Sequence, residues 1–310
     1  MHNLIVIMGV LASTFLLATP LIFAGLGGVF SEKSGVVNIG LDGMMIMGAF
    51  FGVYGSYLTG SALFGIICAI IAGGAIAAIH AFLSVTLKAD QIISGTAINL
   101  FATALASFLI AKFFGRGGQT DGVNGLPWHV PAFIKNIPGI GEFASNINWF
   151  VILAIIVVFV SHFILYKTPL GLRIRSVGEH PSAADTLGIN VYSMRYLCVI
   201  ISGALAGLGG AALSLGVTPM YREGMVSGRG FIALAAMIFG NWKPKGTLLA
   251  CLLFGFAEAF QIKAQSFGWN LPSELYSSFP YILTMLALAG FVGKTKAPAA
   301  DGEPYEKGQR

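Results

Sequence analysis

Apolar residues run along this chain in long blocks separated by short polar breaks, at 4–29, 36–59, 62–86, 91–113, 149–166, 196–218, 230–241, 246–262 and 280–293. A helix rises 1.5 Å per residue, so about 20 apolar residues cross ~30 Å of hydrocarbon. Most blocks approach or reach that length, and the pattern predicts an all-α, polytopic membrane helical bundle of about eight or nine spans. The block 230–241 is too short to cross alone, and 280–293 is short unless it extends back to Leu275. Such blocks predict broken or half-spanning helices held inside the bundle. A membrane domain over 1–293 is then followed by a polar tail, 294–310, whose Lys-Thr-Lys-Ala-Pro-Ala-Ala-Asp-Gly opening predicts a disordered end.

Composition agrees. Of 310 residues 56% are hydrophobic and only 10% charged, where a soluble domain carries about a quarter charged residues. The 41 glycines suit helices that approach closely in lipid. Cys68, Cys198 and Cys251 each lie inside an apolar block at spacings that match no metal motif, and no metal site is expected. Net charge is +5, yet no basic patch with interleaved aromatics occurs, so nucleic acid is not an expected partner. Met1-His2-Asn3 lacks the basic start of a signal peptide, and the first block is expected to stay as a span.

Loop charge predicts orientation. Lys167, Arg173, Arg175 and Arg195 place the segment 167–195 in the cytoplasm. Alternating outward from it leaves twelve basic residues inside and six outside, with the N-terminus external and the C-terminus cytoplasmic. The Gly-, Pro- and Asn-rich stretch 114–148, with Trp128 inside it and Trp149 at its edge, becomes an external connecting loop with interfacial aromatics.

Catalytic signatures are missing. Gly293-Lys294-Thr295 ends like a phosphate-binding loop, but Leu288 stands where its first glycine is required. Ala24-Gly25-Leu26-Gly27-Gly28 recurs as Ala206-Gly207-Leu208-Gly209-Gly210, on spans expected to run in opposite directions. Inverted repeats of that kind build transport pathways. Gly203 and Gly207, and likewise Ala206 and Gly210, lie one helical turn apart and predict close helix packing.

Asn38, Asp42, Asn99 and Glu258 fall in or beside apolar blocks, Glu258 with Gln261 nearby. An ionised side chain at mid-bilayer costs about 2.5–3.5 kcal/mol on insertion scales, so these groups face the protein interior or a watery route. Either they secure backbone at helix breaks or they line a substrate pathway. In 167–195, Glu179-His180-Pro181 leads into a short helix from Ser182 to Leu187, with Pro181 in its first turn and Gly188 as its cap. It is either an ordinary loop helix or an element shaped for a groove on a cytoplasmic partner.

Three stretches together, Ser34-Gly35-Val36-Val37-Asn38-Ile39-Gly40-Leu41-Asp42-Gly43, the loop from Thr168-Pro169-Leu170-Gly171 to Gly188-Ile189-Asn190, and Phe254-Gly255-Phe256-Ala257-Glu258-Ala259, resemble the permease subunits of bacterial ABC importers of the branched-chain amino acid/ribose class. Within that class the shorter permease of nucleoside importers is most similar, and simple-sugar permeases, such as those for ribose, come next. The resemblance implies a type II-like permease in the bacterial plasma membrane, paired with a second related permease in a heterodimer. It implies a cytoplasmic ABC ATPase that uses ATP while this chain binds no cofactor, and an external substrate-binding lipoprotein. The segment with Gly178, Glu179, His180, Pro181, Ala184, Asp185 and Gly188 would then be the ATPase-coupling helix. Two other classes stand beside this one: an ion-coupled secondary carrier with Asp42 and Glu258 as coupling sites, and a membrane enzyme, which the lack of a catalytic cluster disfavours.

Overall fold

The computed structural model describes residues 2–128, 130–135, 137, 139–264, 274, 275, 278, 282, 285 and 295–308. The helices are α1 (His2–Lys33), α2 (Leu41–Thr59), α3 (Ala62–Ala81), α4 (Gln91–Phe114), the short α5 (Ala132–Lys135) and α6 (Ile140–Ser145), α7 (Trp149–Lys167), α8 (Pro169–Glu179), α9 (Pro181–Thr186), α10 (Val191–Ala211), α11 (Arg229–Phe239) and α12 (Pro244–Ala264). Two of them widen into π-helical turns at their C-terminal ends, α3 over Phe82–Thr86 and α10 over Ala212–Val217. Their ends follow local chemistry. Asp90, Asn148, Thr168 and Asn190 cap α4, α7, α8 and α10 through their side chains, and left-handed Gly60 and Gly115 stop α2 and α4.

Six helical segments among the described residues are long and apolar enough to cross a membrane: Ile7–Lys33, Ala62–Thr86, Gln91–Phe114, Trp149–Lys167, Val191–Val217 and Pro244–Ala264. The expected eight or nine spans are not reached among these residues, for three reasons. The block 36–59 is helical only from Leu41, which leaves α2 at 19 residues with Asp42 in its first turn, and it is not among the six. The block 230–241 becomes α11, whose 11 residues extend about 16 Å, roughly half the hydrocarbon layer. Most of 280–293 lies outside the described residues.

Helices α1, α2, α3 and α10 form the centre. Residues near 20 on α1 meet those near 209 on α10, and 27 meets 202, so the two helices cross antiparallel with both glycine motifs at the crossing. The outer faces of α3, α4 and α7 carry exposed apolar side chains such as Ile71, Phe101 and Phe159, suited to lipid. The C-terminal ends of α1, α3 and α7 and the α11–α12 turn gather at one end of the bundle, with α8, α9 and the tail. At the opposite end the stretch 119–127 bonds to Ser56, Gly60 and residues 215–222. There Trp128 and Trp149 meet edge to face, at 5.1 Å between ring centres.

Candidate functional site

Residues 34–40 break the helical path between α1 and α2 deep inside the protein, where each backbone group needs a partner. Side chains from two other helices, α3 and α4, supply three of them. Gln91 Oε1 accepts from Val37 N at 2.7 Å, His80 Nε2 donates to Val37 O at 3.0 Å, and Asn99 Nδ2 donates to Ile39 O at 3.0 Å. A carbonyl only accepts, so His80 carries its proton on Nε2, and Nδ1 is left to accept from Ser94 Oγ at 2.9 Å. Asn38 donates to Ser202 Oγ on α10 at 2.9 Å, while its own Oδ1 is buried without a protein partner.

A chain of polar contacts then crosses the bundle. Asn99 Oδ1 accepts from Gly43 N at 2.7 Å, holding the first turn of α2 against α4. One residue earlier, Asp42 Oδ1 accepts from Gly230 N at 2.9 Å. Gly228, at the start of α11, has no side chain to cap it, and Asp42 takes that role from another helix. Arg229 then pairs with Glu258 of α12 at 2.5 Å and donates to Met225 O and Val226 O. The structure thus joins Asn99, Asp42 and Glu258 through α2, α4, α11 and α12, and turns Asn38 toward α10. Asp42→Asn, which keeps an oxygen acceptor, is expected to hold stability within about 0.5 kcal/mol, whereas Asp42→Ala loses about 1–2 kcal/mol. Thermal unfolding of the detergent-solubilised protein measures both.

A cavity of about 1020 Å³ with a mostly apolar lining lies elsewhere, between α3, α7 and the stretch 123–127. It contains none of these four residues.

At the other end, α8 and α9 stand between α7 and α10. Pro181 opens α9, and Gly188, at φ +81°, turns the chain out of it. The whole of α8 is additional to the short helix expected there. Gly178 packs on the backbone of Lys33, where any side chain would collide. Ala184 is only 1% exposed, closed in by Val177 and Val191, so it positions α9 and presents nothing outward. Glu179, His180 and Gly188 are exposed, and Asp185 is half-buried. Leu187, absent from the expected set, is 81% exposed at the tip.

The tail departs from the expected disorder. Ala300 and Tyr305 are buried, Ala300 N donates to Gly178 O at 2.9 Å, and Arg195 Nη1 donates to Glu303 O at 2.8 Å. Arg195 is 1% exposed. Asp301 lies beside Glu32, and burial pushes the Asp301 carboxyl up to about 6. Glu32 also accepts from Trp242 Nε1 at 2.5 Å, anchoring a tryptophan that sits at a positive φ of 51° in the α11–α12 turn.

A family model described as branched-chain amino acid transport system / permease component matches residues 10–288. The chain belongs to that permease family. This permease is 45% identical to the guanosine ABC transporter permease protein NupQ of Bacillus subtilis, over 97% of each chain. It is 42% identical to the nucleoside ABC transporter permease protein NupC of Lactococcus lactis, over 96% of each. A more distant relative in B. subtilis, the guanosine ABC transporter permease protein NupP, is 26% identical over 91% of this chain and 83% of its own. Among solved structures, a metal-chelate type ABC transporter in an inward-facing conformation superposes with a TM-score of 0.52 at 16% identity, covering 93% of this chain and 97% of that one. At that identity the likeness shows the fold alone. Within this permease, sequence reasoning passed over His80 and used Arg195 and Arg229 only as markers of orientation. Each is a lone polar residue in or beside an apolar block, the same signal that drew attention to Asn38 and Glu258.

Proposed function

We propose that this chain is the membrane-spanning permease subunit of an ATP-driven nucleoside importer, providing the alternating-access route for its cargo. The observation that carries the reading is the near-full-length similarity to permeases named for guanosine and for nucleosides. The partner is a second, related permease, in keeping with the two distinct guanosine permeases of one organism that this chain resembles. A cytoplasmic ABC ATPase docks on α8 and α9, where Glu179, His180, Gly188 and Leu187 are accessible while Gly178, Pro181, Ala184 and Asp185 shape the support. ATP is used by that ATPase, and an external binding lipoprotein delivers cargo. In the bacterial plasma membrane the α8–α9 end faces the cytoplasm and the Trp128–Trp149 end faces outward. The N-terminus is external, the C-terminus is cytoplasmic, and nine crossings follow if α2, α11 and the 280–293 block complete the bundle. Asn38, Asp42, Asn99 and Glu258 border the route as supports of broken helices, since Asp42 and Glu258 are engaged by Gly230 and Arg229.

Affinity purification in mild detergent, with labelled guanosine uptake in the same cells, tests this. The expected result is a co-purifying ATPase and uptake that survives an uncoupler while ATP is maintained. Leu187→Glu and Glu179→Lys should each lower uptake at least tenfold at normal membrane levels. Uptake that persists without the ATPase and collapses with the uncoupler would overturn the reading.

A further inference from the structure

The α8–α9 unit lacks a sufficient core of its own. Helix α9 has six residues, too few to persist without tertiary support, and its one buried residue, Ala184, is small. The missing volume comes from the far end of the chain. Tyr305, 7% exposed, completes an apolar cluster with Val177 of α8, Ala184 of α9 and Val191 of α10. Its ring lies 5.6 Å from that of Tyr192, whose hydroxyl donates to Tyr305 O at 3.3 Å. Its own hydroxyl lies beside the carboxylate of Asp185 of α9.

The rest of the tail ties that cluster to the bundle. Lys296 N donates to Asn241 Oδ1 in the α11–α12 turn at 3.0 Å. Glu306 pairs with Lys88, just beyond α3, and Lys307 lies 3.9 Å from Asp185. Arg195 of α10 depends on it too. Among its guanidinium nitrogens, Nε and Nη2 are buried without a hydrogen-bond partner, and Nη1 bonds to the tail carbonyl of Glu303. One extended segment therefore touches the ends of α1, α3, α8, α9, α10 and the α11–α12 turn.

We propose that Tyr305 and the segment 296–307 are positioning elements of the coupling apparatus, wedging α9 against α8 and α10 so that a push on α9 moves the bundle. This rests on the proposed docking of an ATPase at α8–α9. A short helix packed only through an alanine would tilt under load and dissipate the displacement, whereas a ring locked between three helices passes it on.

The test is the purified complex with its ATPase and partner permease in proteoliposomes, measuring guanosine uptake and ATP hydrolysis together. Tyr305→Ala is expected to keep the ATPase bound and basal hydrolysis within about twofold, and to cut guanosine moved per ATP about tenfold. Tyr305→Phe, which keeps the ring, recovers most of that ratio. Because Tyr305→Ala can fail to accumulate, Lys88→Glu and Glu306→Lys are read as well. Each should lower the ratio about twofold, the scale of an exposed pair, and the double exchange should restore it. An unchanged ratio in Tyr305→Ala, or in both single charge variants where Tyr305→Ala is not obtained, overturns the proposal. A wild-type complex that holds no ATPase or moves no guanosine fails before any variant is made, and removes the proposed function together with this inference.

Discussion

Gly207→Leu is expected to destabilise the bundle by about 3 kcal/mol or more. A Cβ placed on Gly207 would lie within 3 Å of Ala69 O on α3. From the other side, a Cβ on Gly48 of α2 would meet the Gly207 backbone within 3 Å, and one on Gly73 of α3 would meet Gly203 O and Gly207. Three helices converge on main chain at this point, so no flexible side chain can move aside. Overpacking a well-packed core costs about 1–3 kcal/mol, and separating three backbones belongs at or above the top of that range. Against a total stability of about 5–15 kcal/mol, that loss shows as low membrane accumulation and aggregated material on size-exclusion chromatography. Gly117, with nothing within 4 Å of its added Cβ and no positive φ, is the control. Gly117→Leu should accumulate normally, and equal behaviour of the two variants would contradict the packing described.

Arg229→Met carries the second large effect. It leaves Glu258 without its cation, in a pair whose side chains are only 18% and 29% exposed. Breaking a buried pair by removing one partner costs about 3–5 kcal/mol, mainly because the surviving charge stays desolvated. The bonds from Arg229 to Met225 O and Val226 O, which close the approach to α11, are lost as well. Removing both charges in Arg229→Met with Glu258→Leu is expected to recover most of the loss, since replacing a whole pair with apolar side chains is often neutral. Thermal unfolding of the two single variants and the double completes the cycle. A loss below about 1 kcal/mol in Arg229→Met would mean the pair is solvated and contributes little.

Spans such as 62–86 and 149–166 were readable because uninterrupted apolar side chains set their length, and the structure has helix from Ala62 through Thr86 and over Trp149–Lys167. Helix α8 was legible but was read as loop. Its inward positions Gly171, Ile174, Val177 and Gly178 recur at helical spacing, but Arg173 and Arg175 between them drew the reading toward a charged loop. The break at 34–40 was masked differently, because Val36, Val37 and Ile39 read as part of the following block, and only Gly35, Asn38 and Gly40 hint at a departure. Glu258 stood out as a costly charge, but its partner lies 29 residues earlier, and such pairing is a property of the fold. The tail failed for the same reason. Its composition is that of a disordered end, and the single ring at Tyr305 acquires meaning only where Val177, Ala184 and Val191 meet it.

The segment 34–40 also limits how this protein can change shape. Its amide and carbonyl groups are held by Gln91 and Asn99 on α4 and His80 on α3, and its Asn38 reaches Ser202 on α10. Pulling any of those helices away would strand buried polar atoms at about 1–3 kcal/mol each. They therefore travel as one rigid block with the start of α2. Whatever swings during a transport cycle has its hinge outside that block.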